Sequence, residues 1–235
     1  MGSFLIVSAP TPYLARQARE RALPAAVSLN LGAPAIHDDG PVQVVLFPPL
    51  AKPALPLAHR PDSPFWVATA GAPICRGAAP PALNALLTAE YDAPGALLES
   101  DLDHLEGLFA LFCGLTGSPS VWIVTDRLGS FHVYQAALGD ALVLSNSALL
   151  LASLTRPALD PAAARHFLNT GSVFGGRSLF EGVRKLPAAS VFECSNGALR
   201  FVRRHWDIAT KFHGAGPPPP SVGDTARSLV EAMDA

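Results

Sequence analysis

The chain has 235 residues, 49% of them apolar and 15% charged, with a formal net charge of −2. That suits one large domain, or one domain and the start of another, with a substantial core. It excludes a binder that neutralises nucleic-acid phosphates with clustered Lys and Arg, and no run reaches the roughly 18 apolar residues of a membrane span.

From the N-terminus, "MGSFLIVSAP" lacks a basic n-region and has too short an apolar run for a signal peptide, so a soluble, cytoplasmic protein is expected. Residues 4–7, 42–47 and 65–70 ("FLIV", "VQVVLF", "FWVATA") predict strands, with a helix over 11–23. Helices are also predicted over 80–91 and 97–105. Residues 108–115 and 121–125 ("LFALFCGL", "VWIVT") lack alternation, as strands covered on both faces do. Further strands are predicted over 131–137, 141–145, 190–194 and 198–204, with 117–120, 138–140 and 195–197 short enough for hairpins. "LDPAAARHFLNTG" predicts a helix with Asp160 as N-cap, Pro161 at the first position and Gly171 beyond the end. Two mainly antiparallel sheets with helices outside predict an α+β, four-layer αββα sandwich over 1–210.

Residues 211–224, rich in Pro and Gly, read as a linker. Over 225–235, Ala226, Leu229, Val230 and Met233 share one face of an amphipathic helix, expected to open a second domain that is cut off here. An apolar docking face left exposed in that way favours a homodimer.

The three cysteines, Cys75, Cys113 and Cys194, are odd in number and scattered, which argues against a disulfide framework or a zinc site; Cys113 reads as a buried hydrophobe. The histidines include no metal-type pair; His132 is expected in a strand and His166 on a helix surface. Asp103 and Glu106 read as a solvated strand end, and Phe65, Trp66, Phe109, Phe112 and Trp122 as core. The charged step of "SVWIVTDRLGSFHVYQ" is either a catalytic corner or the turn itself: Asp126 can accept turn N–H groups or pair with Arg127, and Gly129 can supply positive φ.

"LEGLFALF", "TDRLGSFHVY", "LVLSNSALLLA" and "SLFEGVRKLPAASVF" followed by "HWD" resemble, in order and spacing, blocks of the asparagine synthetase family. The resemblance covers residues 105–235 and is only in outline before that. It implies an N-terminal-nucleophile (Ntn) glutaminase fold joined to an ATP-dependent amide ligase, with Asp126, Arg127 and Gly129 as a structural hairpin signature. It also implies a nucleophilic Cys at the mature N-terminus, whose α-amino group acts as base. Gly2 stands there instead, and Ser3 would need unusual processing to serve. The family's Asn-Gly-Glu, an oxyanion donor and an ammonium grip, matches Ala70, Gly71 and Ala72, of which only Gly71 agrees. Arg60 is the sole candidate to hold a substrate carboxylate. The ligase's Ser-Gly-Gly-x-Asp-Ser nucleotide loop does not occur in the sequence. The Gly-rich 169–178 follows a helix instead of preceding one, against a phosphate loop.

The first expectation is therefore a domain with no catalytic residue and no cofactor of its own. It would act as scaffold for its own C-terminal synthetase domain, which would take ATP and Mg²⁺ and a small-molecule or peptide substrate. The resemblance extends to Cys-less members, β-lactam-forming synthetases and lasso-peptide cyclases, whose substrates already carry the amine. A peptide- or metabolite-binding module, with the pocket widened at Ala70 and Ala72, is a second reading. An amidohydrolase using Ser3 is a third.

Overall fold

The computed structural model describes residues 3–47, 57–59, 62–75, 82–100 and 102–209. Gly2, Arg60, the expected linker and the helix over 225–235 lie outside the described residues. The chain lays down β1 (Ser3–Ser8), α1 (Pro12–Ser28), β2 (Ala35–Asp39), β3 (Val42–Phe47), β4 (Leu57–His59) and β5 (Phe65–Cys75). Then come α2 (Ala82–Glu90), α3 (Pro94–Ser100), β6 (Leu105–Leu115), β7 (Ser120–Thr125), β8 (Tyr134–Leu138) and β9 (Ala141–Ser145). The rest is α4 (Ala148–Thr155), α5 (Pro161–Thr170), β10 (Arg184–Lys185), β11 (Ser190–Ser195) and β12 (Ala198–Arg204).

Two six-stranded sheets result, ordered β10-β8-β9-β1-β3-β2 and β12-β11-β7-β6-β5-β4. Their pairings are antiparallel. Phe4, Ile6, Val44, Trp66, Phe112 and Ile123 fill the space between the sheets. Outside the first sheet, Ala15, Ala18, Ala22 and Ala26 of α1 and Leu150, Leu151 and Leu154 of α4 pack on Leu5, Val7 and Val143. Outside the second, Leu83, Leu87 and Leu97 of α2 and α3 pack on Val67, Leu111 and Val124. These three apolar layers make the expected αββα sandwich. They also explain the unalternating runs of β6 and β7, since both faces of those strands are covered.

Several elements depart from the sequence reading. Helix α1 runs past Pro24 to Ser28, capped by the Thr11 hydroxyl, which accepts the Leu14 N–H at 3.3 Å. Ending it at residue 23 overweighted the donor a proline lacks. The helix expected over 97–105 is α3, which ends at Ser100; Leu105 already begins β6. Helix α4 was not predicted, because an almost wholly apolar run shows no 3.6-residue period; the Ser147 hydroxyl caps it through the Leu150 N–H. Residues 131–133 are not strand, so His132 precedes β8.

The larger correction concerns the hairpin expected at 126–129. β7 belongs to the second sheet and β8 to the first, so this segment is a crossover between sheets. Two apolar runs six residues apart look alike whether they pair or face each other across a core. The short hairpins at 117–120, 138–140 and 195–197 do form, joining β6 to β7, β8 to β9 and β11 to β12.

At the opposite edges of the sheets, Asp39 of β2 ties the layers together. Its buried carboxylate accepts the Trp66 indole N–H at 3.0 Å and the Gly117 N–H at 3.3 Å, and lies 2.6 Å from His37 Nε2. Burial pushes this carboxyl up, but the His37 imidazole and the two N–H donors outweigh it and hold it below its ordinary 3.8. A depressed folded-state value means that its stabilisation is complete above that ordinary value and is lost as pH falls through the lower one. Asp39→Asn is therefore expected to flatten the acid limb of the stability curve, read as urea midpoint against pH.

Candidate functional site

β1 begins tied to the neighbouring β9–α4 turn. The Phe4 N–H donates to Asn146 Oδ1 at 3.1 Å, and the Ser145 hydroxyl donates to the Phe4 carbonyl at 2.7 Å. The Phe4 ring spans the core, 4.6 Å from Phe112 of β6 and 6.4 Å from Phe131. An asparagine amide, not a histidine or a carboxylate, therefore meets the start of the first strand.

On the facing sheet, Ala70 of β5 is in register with Ala110, and Ala110 with Thr125. Residues 70–72 thus lie two strand spacings, roughly 10 Å, from the crossover that starts at Asp126. Ala70 is buried in the inter-sheet core, while Ala72 is exposed. Between them Gly71 has φ +94°, and a Cβ there would sit 2.2 Å from the Leu108 carbonyl oxygen. Gly107 mirrors it across the strand pair: φ +95°, with a Cβ 2.2 Å from the Ala72 oxygen. The backbones approach so closely that neither position admits a side chain, so the packing of β5 on β6 demands Gly71 whatever the chemistry. Its two neighbours offer methyl groups where an amide donor and a carboxylate would be needed to hold and polarise a glutamine amide.

Asp126 is 1% exposed. Its Oδ1 accepts the N–H groups of Leu128 (3.0 Å) and Ser130 (3.1 Å), and its Oδ2 that of Phe131 (2.7 Å). Its backbone carbonyl accepts those of Gly129 and Ala189. The carboxylate serves the backbone, and Arg127 turns away, its guanidinium 5.9 Å from the centre of the Trp206 ring. Gly129 takes φ +63° against Ala188, as the turn requires. Two further residues of this corner were not singled out in the sequence. Thr125 Oγ1 donates to the Pro187 carbonyl and accepts the Ser190 N–H, and the buried His205 donates from Nε2 to the Thr125 carbonyl at 3.0 Å. Only the shape of the crossover reveals them, since their partners are more than sixty residues away. Of the two roles the sequence leaves open for this segment, the Asp126 hydrogen bonds support the turn itself.

Two solved structures share this architecture. Glutamine phosphoribosylpyrophosphate amidotransferase from B. subtilis, solved with ADP and GMP, matches 88% of this chain with a TM-score of 0.51 and 12% identity. A structure described as the allosteric regulatory enzyme of purine biosynthesis also matches 88%, with a TM-score of 0.50 and 13% identity. The chain has the fold of an Ntn-type glutamine amidotransferase domain. It spans about half the length of either neighbour, 50% of each being covered. No protein-family model matches the sequence, and no curated protein does.

Within this fold the thiols of Cys113 and Cys194 are unsuited to nucleophilic work. Burial pushes the Cys113 thiol far up and that of Cys194 to about 12, so neither is a thiolate at neutral pH. His132 Nδ1 and the Tyr134 hydroxyl are hydrogen-bonded at 3.0 Å, and partial burial, then the charge of Lys185, hold the imidazole below the ordinary value. His166 is exposed on α5, as expected. Among the described residues, no group of three or more His, Cys, Asp or Glu is placed to hold a metal, and no helix is long and apolar enough to cross a membrane.

Proposed function

We propose that this chain is a non-catalytic glutaminase-like domain of an asparagine-synthetase-like, amide-forming ligase of the cytoplasm, retained as a scaffold for a synthetase domain. The observation that carries the proposal is an amidotransferase fold whose β5 presents Ala70 and Ala72 around a glycine that the strand pair itself requires. A ligase whose substrate already bears its amine needs no ammonia, so these losses carry no penalty in such a reaction. ATP and Mg²⁺ would supply carboxylate activation on the synthetase domain. Nothing described in this chain fits them, since the Gly-rich 171–176 follows the C-terminal end of α5, where the helix dipole is negative.

Purified protein is expected to release no ammonia from glutamine, with or without Ser3→Ala. A Gly2→Cys variant should stay inactive too, because its thiol would still meet neither amide donor nor carboxylate at 70–72. Ammonia release by the parent that Ser3→Ala abolishes would replace the scaffold with an amidohydrolase. A second reading, a ligand-binding module, is favoured by the cleft that follows.

A further inference from the structure

Beyond β8 and β10, at the free edge of the first sheet, lies an open cleft of about 450 Å³. That volume is within the range of small-molecule sites. It is separate from 70–72, which belong to the other sheet. Its lining includes Phe167 at the end of α5 and Phe174 in the loop after it, 45% and 62% exposed, together with Phe180. Lys185, Arg177 and the His132–Tyr134 pair line it too. The register Leu5–Ser145–Tyr134–Lys185 runs straight across β1, β9, β8 and β10, so the sheet backbone fixes where Lys185 starts.

The two cations differ. Arg177 is 3.7 Å from Asp160 Oδ2, while Oδ1 of the same carboxylate caps α5. Lys185 is half-buried and has no carboxylate partner among the described residues. In the tautomer whose Nδ1 accepts the Tyr134 O–H, the His132 ring carries Nε2–H as a further donor. A half-buried ammonium with no carboxylate partner among the described residues, in one cleft with a ring nitrogen and exposed phenyl rings, complements a molecule with one anionic end and an apolar body. The C-terminal end of α5 and the first residue of α4, Ala148, both border the cleft, so one helix dipole opposes an anion there and the other favours it.

We infer that this cleft binds a carboxylate carried on an aromatic or branched apolar group, with the carboxylate on Lys185 and His132 and the apolar group between Phe167 and Phe174. Such an acid can be free or the C-terminus of a peptide. The site rests on the fold and not on the scaffold reading, so loss of one leaves the other standing.

Titration of the whole chain with 3-phenylpropionate and with N-acetyl-alanyl-phenylalanine, followed by NMR, tests it. Saturable binding of at least one is expected, and the tighter of the two identifies the source. The corresponding amides should bind about tenfold or more weakly, the typical worth of a charge-assisted hydrogen bond. Lys185→Met should weaken the acid similarly, and Phe174→Ser should weaken acid and amide alike. Neither change touches the core, and matching urea midpoints would confirm that both variants fold. Burial and, after it, the Lys185 charge depress the His132 imidazole, so a carboxylate bound to Lys185 should move its titration midpoint upward, which a merely structural lysine would not do. No saturable binding of either acid, equal binding of acid and amide, or full affinity in folded Lys185→Met would overturn the assignment.

Discussion

Asp126→Ala is expected to lower stability by about 4–6 kcal/mol, from one buried and two part-buried hydrogen bonds to its carboxylate at roughly 1.5–3 kcal/mol each with incomplete additivity. Against a typical domain stability of about 5–15 kcal/mol, that is a large fraction of the total. Asp126→Asn should cost about half as much, since its oxygen can still serve Leu128 and Ser130 while the Phe131 N–H loses its acceptor. Arg127→Ala removes a guanidinium–indole contact worth about 0.5–1 kcal/mol and none of the Asp126 hydrogen bonds. Urea unfolding of the three variants separates them. A folded Asp126→Ala protein with the parent's midpoint would mean that the carboxylate is not the corner's organiser, and a chemical role would have to be sought for it.

Gly71→Ala is expected to be nearly as damaging, by about 3–5 kcal/mol. The residue has φ +94°, and its new Cβ would lie 2.2 Å from a backbone oxygen that belongs to the paired strand and cannot swing aside. For a chain of this length that is a fall in Tm of roughly 10 °C. Ala72→Glu, one residue on and exposed, should fall within about 0.5 kcal/mol of the parent. Thermal unfolding of the pair tests whether Gly71 is held by strand packing alone. If Gly71→Ala melts with the parent, the β5–β6 approach is looser than described and the glycine needs another explanation.

Both cases bear on what was legible in advance. The strands at 42–47, 141–145 and 198–204 were readable to the residue because Gly, Pro and Asp clusters bound them. Helix α5 was readable because Asp160, Pro161 and Gly171 mark its ends; the Asp160 carboxylate does accept the Ala162 and Ala163 N–H groups, and Gly171 takes the left-handed cap. By contrast β2 and β4 were missed: "AIHDD" and "LAH" are short and polar, and they are strands only because sheet edges stand ready for them. The site was legible in part. Gly2, Ala70 and Ala72 show missing side chains in the bare sequence, whereas the cleft at Lys185 does not show, because its walls come from α5, the loop after it and two strands of the first sheet.

By itself the sequence determined the αββα layering, the three tight hairpins and the absence of reactive side chains where the resemblance wants them. These depend on periodicity, caps and residue identity, which are local. Only the tertiary structure decided that 126–129 crosses between sheets, that Gly71 is demanded by the Leu108 carbonyl, and that Lys185 shares a cleft with two exposed phenyl rings. Those facts depend on which distant backbones meet. In a sandwich the inter-sheet partner of a residue is set by packing over tens of residues, a distance at which spacing along the chain carries no signal.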